Sequence, residues 1–195
     1  PRPAQGCEDK MNKIMRGVIA ALVFPTSFLY AQDLKPKGRW FDHRDSTIFQ
    51  PFHPTKKLKE HLSSNFLEPG KGGVLETLRI NLHGGKTSDY VLVNRGQCGA
   101  HNCAYALIDG KDEHQMGEVS GSAIYILDQK INGMPVITSY NQWGAEEGIY
   151  MCYVFDGKAY VPVSAIKLEG SSVKALFDNL KGLEKIGSPS PGPKP

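Results

Sequence analysis

The sequence predicts an α+β fold: an antiparallel sheet of five to seven strands, run as a meander and packed by a C-terminal helix, plus a short N-terminal helix. Three observations lead there. Between residues 74 and 163, short runs rich in β-branched and aromatic residues are split by turn residues at intervals too short for helices. Residues 171–183 instead repeat their apolar positions at spacings of three and four. The 13 prolines and 21 glycines among 195 residues favour turns over long helices.

Taken in order, residues 1–10 (PRPAQGCEDK) precede Met11 and read as an upstream remnant outside the fold. From Met11 the chain runs through a basic MNKIMRG, an apolar VIAALVFPTSFL and a short YAQD, the three parts of a secretory signal in their usual order. Cleavage is expected after Ala31. The apolar run is shorter than the roughly 20 residues a membrane-spanning helix needs, so no stable anchor is expected once residues 11–31 are removed. Cys7 lies before that run, whereas a lipid-bearing cysteine follows it. Residues 32–187 are then one exported domain, and the Pro/Ser/Gly-rich residues 188–195 a disordered tail.

Within the domain, residues 33–53 are aromatic and charged without a clean period, which suggests an extended arm. Thr55 opens an amphipathic helix over about 55–66, with Leu58, Leu62 and Phe66 on one face and Pro69-Gly70 as its stop. Strands are expected at Val74–Leu82, Tyr90–Asn94, Ala104–Asp109, Ala123–Leu127, Val136–Tyr140, Ile149–Phe155 and Ala159–Val163. Asp109-Gly110, Asn132-Gly133 and Asp156-Gly157 supply turns. Ser171-Ser172 cap the last helix, whose stripe is Val173, Leu176, Phe177, Leu180 and Leu183.

Hydrophobic residues make up 40% of the chain and charged residues 22%, values of a soluble globular protein. The formal charge of +3 falls to about +1 without residues 1–31, so neither nucleic acid nor acidic lipid is indicated as a partner. Lys56, Lys57 and Lys59 read as a solvated helical face. No nucleotide, cofactor or metal motif is complete. Gly84-Gly85-Lys86-Thr87 ends like a phosphate loop, but Ile80 stands where its first glycine belongs. Val119-Ser120-Gly121-Ser122-Ala123 is no nucleophile elbow. The pairs Asp112-Glu113 and Glu146-Glu147 read as loop charges, and the six histidines show no ligand spacing.

Cys98 and Cys103 flank a Gly-containing turn between two strands and are expected to form a disulfide in an oxidising compartment. Alternatives are a metal site with His101, which lacks a fourth ligand, and a thiolate nucleophile at Cys98 or Cys103 served by His101 or His83. A redox dithiol lacks the Cys-x-x-Cys spacing. Cys152, in a continuous apolar run, reads as a buried small hydrophobe. The segment Tyr140–Gly148 holds Gln142 and Trp143 on a connection between strands. Trp143, Gln142 and His101 are accordingly the binding candidates, with a Trp folded over the core edge as the other reading of Trp143.

The Gly96–Cys103 turn between two strands, together with the hairpin Phe155-Asp156-Gly157-Lys158-Ala159-Tyr160, resembles small exported Gram-negative proteins that carry a Cys-Gly-x-x-x-Cys turn and a later aromatic-Asp-Gly-x-x-Tyr hairpin. The resemblance covers about a third of the chain. It implies a periplasmic location and a structural disulfide, and it implies no activity. The expectation is therefore a periplasmic or secreted, non-catalytic binding module, such as an inhibitor or immunity-type protein acting through its loops on another periplasmic or cell-envelope protein. A cell-envelope thiol enzyme and a structural envelope component are the alternatives.

Overall fold

The computed structural model describes residues 36–67, 74–84 and 89–187. Residues 1–10, the leader expected over 11–31, Cys7, Lys86-Thr87 and the tail 188–195 lie outside the described residues. The chain opens with β1 (Gly38–Asp42) and β2 (Gln50–Pro51), then two single-turn helices, α1 (Lys56–Lys59) and α2 (Ser64–Leu67). There follow β3 (Leu75–Ile80), β4 (Asp89–Asn94), β5 (Cys103–Asp109), β6 (His114–Gly121), β7 (Ala123–Ile131), β8 (Met134–Gly144), β9 (Glu147–Phe155) and β10 (Tyr160–Glu169). Helix α3 (Ser171–Leu180) and β11 (Glu184–Lys185) close it.

Among the described residues all eleven strands belong to one sheet, in the order β11-β1-β7-β8-β9-β10-β6-β5-β4-β3-β2. The neighbours β1 and β11, and β10 and β6, are parallel, and the other pairs are antiparallel. The chain turns a corner at Ser122, leaving β6, which pairs with β5 and β10, for β7, which pairs with β1 and β8. Both the amide and the hydroxyl of Ser122 donate to the Tyr140 carbonyl, at 2.8 and 3.0 Å. The corner lets strands from both halves face one core. Phe41 of β1 meets Tyr105 of β5 edge to face with ring centroids 5.4 Å apart, and Leu78, Val91, Val93, Ile124, Ile137 and Tyr153 fill the same cluster.

Period-two alternation makes β4 and β5 two-faced. Val91, Val93, Tyr105 and Leu107 face that central core, while Leu92, Ala106 and Ile108 face outward. On the outer side Leu58, Leu62 and Phe66 cover them. The stripe read from the sequence is therefore buried as a unit, although the chain leaves helical geometry between Glu60 and Ser63 and forms two short helices instead of one over 55–66.

The expected five-to-seven-strand antiparallel meander with a covering helix is overturned. The sheet has eleven strands and is mixed. The aromatic arm contributes β1 and β2, and His114–Gly121, read as connection, is strand β6. The expected packing helix is ten residues long and buries only Val173 and Leu180, with Phe177 still 37% exposed. The main core forms sheet against sheet because the corner at Ser122 brings the two halves together, leaving α3 a minor role.

Candidate functional site

Cys98 and Cys103 are joined in a disulfide, with Cα atoms 4.3 Å apart. The loop starts where Asn94 caps a single 3-10 turn (Arg95–Gln97) through its side-chain oxygen, and ends where Cys103 enters β5. Gly99 donates its amide to the Asn102 carbonyl at 2.8 Å, closing a turn with His101 exposed at its tip. Neither bonded sulfur is a thiolate in this state. Cys152 is free but buried, and burial pushes its thiol up to about 11.

Trp143 lies in the β8–β9 hairpin. Gln142 pairs with Gly148 and Gly144 with Glu147, so Trp143 is the extra residue of a β-bulge. A bulge re-aims the side chain it carries. Here the indole is 55% exposed, so the reading in which it folds over the core edge does not hold.

Asn102 brings the two loops together. Its side-chain Nδ2 donates to the Gln142 carbonyl at 2.8 Å, and the Gln142 amide donates to its Oδ1 at 2.9 Å. One side chain thus imitates a paired strand and locks the stapled loop to the residue before Trp143. The Gln142 side chain turns inward on its own hairpin and donates to the Gly144 carbonyl at 3.0 Å. Its backbone is therefore what joins it to the site. Asn102 was not legible as a functional residue, because its partner is 40 positions away.

A second group of polar residues sits at the opposite end of the β4–β5 pair, where β4 begins and β5 ends. Asp89, fully buried, accepts from the Leu82 and His83 amides at 2.8 and 3.1 Å and bonds the His83 Nδ1 at 2.9 Å. The His83 Nε2 lies 3.8 Å from Asp109 Oδ2. Asp109, Asp112 and His114 each present one ligand atom within 4.8 Å of the others. Burial opposes ionisation of Asp109, but the Asp112 and Lys111 amides, with His83 and His114 nearby, hold its carboxyl below the ordinary value. The sequence signal was split between His83 and the Asp109–His114 turn, which strand register alone brings side by side.

Among the described residues no helix is long and apolar enough to cross a membrane. No family model, curated protein or solved structure matches the chain.

Proposed function

We propose that this protein is an exported, non-catalytic binding module of the inhibitor or immunity type, which engages a periplasmic or cell-envelope protein through the 98–103 loop and Trp143. The observation that carries this reading is the double hydrogen bond of Asn102 to the Gln142 backbone, which fixes a disulfide-stapled loop beside an exposed Trp. A rigid loop loses little conformational entropy on binding, and a large aromatic at its side is the residue type most enriched at binding hot spots. Both sulfurs of the loop being bonded, and the leader read at residues 11–31, support an oxidising compartment. The surface the partner covers would include His101 at the loop tip.

The test is site-specific photo-crosslinking in the periplasm of an exporting bacterium, with the reactive side chain placed at position 143, 101 or 158. A defined crosslinked protein from 143 and 101, absent from 158 in the β9–β10 turn and weakened by Asn102→Ala, supports the reading. Crosslinks from 143 no different from those at 158 remove it.

A further inference from the structure

The β5–β6 turn and the loop after β3 bring carboxylate and imidazole side chains close together. Asp109 ends β5, and its Oδ1 accepts from the Lys111 and Asp112 amides at 2.7 and 3.1 Å. Its Oδ2 faces His83. Asp112, exposed, and His114, at the start of β6, complete a set in which each ligand atom lies within 4.8 Å of the other two. His83 comes from a separate loop, and a buried carboxylate orients it, since Asp89 Oδ1 holds Nδ1 at 2.9 Å. An imidazole bonded to a carboxylate at one nitrogen carries its proton there. That turns the lone pair of Nε2 outward, the arrangement found behind metal-ligating histidines.

The 3.8 Å between His83 Nε2 and Asp109 Oδ2 is too long for a hydrogen bond. It is close to the edge of a tetrahedron with metal–ligand bonds of about 2.1 Å, which is roughly 3.4 Å. Two imidazoles with two carboxylates suit zinc and its first-row neighbours better than calcium or magnesium, which take oxygen donors. The two carboxylates also balance the charge of a divalent ion.

We propose that Asp109, Asp112 and His114 hold a divalent transition-metal ion, with His83, which faces Asp109 Oδ2 at 3.8 Å but lies outside that set, drawn in as the fourth ligand, so that the ion clasps the loop after β3 to the β5–β6 turn. Four protein ligands leave no open position, so the ion is structural. This site stands apart from the Asn102-linked loops and does not depend on the reading given to them.

The test uses the full chain, free of any affinity tag and stripped with chelator, titrated with cobalt(II) and then zinc(II). The expected result is saturable one-to-one binding, with the intense visible absorption of tetrahedral cobalt, displaced by zinc. His83→Gln, His114→Gln and Asp112→Asn should each weaken binding by at least about 10-fold. Asp112 is exposed, so Asp112→Asn reports on binding without threatening the fold, and circular dichroism checks all three variants. His61→Gln, an exposed histidine between α1 and α2, should leave the titration unchanged. Absence of saturable binding at micromolar metal overturns the proposal, as does unaltered affinity in any of the three variants.

Discussion

At the scale of single residues, environment decides what each ionisable group can do. Cys152 reads from the sequence as a small hydrophobe, and its thiol, pushed up to about 11 by burial, is on the order of one part in ten thousand thiolate at neutral pH. Native protein given iodoacetamide at pH 7 should therefore gain no adduct at Cys152, and unfolded, unreduced protein should gain one there, each read by peptide mapping; rapid labelling of Cys152 in the native form would show that the side chain is exposed. Asp156 shows the opposite shift. The Ala159 and Lys158 amides, each 2.8 Å from its Oδ1, hold its carboxyl below the ordinary value. A depressed folded pKa gives stability that is full above the unfolded value, about 3.9, and lost as pH falls through the lower folded value. Asp156→Asn should flatten the acid limb of a stability-versus-pH curve measured by urea unfolding, and an unchanged limb would assign that dependence to other carboxylates.

At the scale of elements, the glycines at two sites separate packing from backbone strain. Gly117 of β6 faces Tyr160 of β10 in the parallel pair that joins the two halves of the sheet, and a Cβ there would stand 2.9 Å from the Tyr160 carbonyl oxygen. With φ at +153° as well, Gly117→Ala should cost about 1–3 kcal/mol, seen as a lower urea midpoint. Gly133, at φ +81° in the β7–β8 turn with nothing within 4 Å of an added Cβ, should cost about 1–2 kcal/mol from conformation alone when changed to Ala. Equal stability of Gly117→Ala and the parent would mean that the β6–β10 junction yields freely. The Asn132-Gly133 turn was legible because both residues take positive φ, a local demand. Strand β6 was not. Its buried residues Met116 and Val119 fall three apart, since the β5–β6 register shifts between Leu107 and Ile108 and breaks the alternation that a reading by period depends on. Strand β1 was hidden for a related reason: Phe41 enters the core while Trp40 stacks on Tyr125 at 6.1 Å, so neither neighbour is polar. The disulfide was legible from the short spacing together with the expected oxidising compartment, whereas the partner of Asn102 and the meeting of His83 with Asp109 depend on pairings made far along the chain.

At the scale of the whole molecule, the position of the core explains why the expected helix-covered sheet gave way. A sheet of eleven strands whose chain crosses from one half to the other at Ser122 buries aromatic residues from both halves in one cluster, and Phe41, fully buried, is shared between them. It meets Phe49 at 6.0 Å and Tyr105 at 5.4 Å, both edge to face. Arg95 also serves this junction: it lies over the Phe49 ring at 4.5 Å, pairs with Glu76 at 2.6 Å and donates to the His43 carbonyl. Helix α3, by contrast, meets the sheet through a half-exposed Phe177 set edge-on to Tyr140 at 5.1 Å. Stability should follow this ranking. Phe41→Ala removes a ring from the centre of the cluster and should cost about 3–5 kcal/mol, whereas Phe177→Ala, which leaves no closed cavity, should cost about 1 kcal/mol or less. Because strands of both halves line the cluster, Phe41→Ala should lower one cooperative transition, coincident by near-ultraviolet and far-ultraviolet circular dichroism. Two separated transitions would mean that the halves fold independently and that the corner at Ser122 is a hinge between units. A single transition with the larger loss at Phe177 would mean that the helix, not the junction between the halves, holds the sheet together.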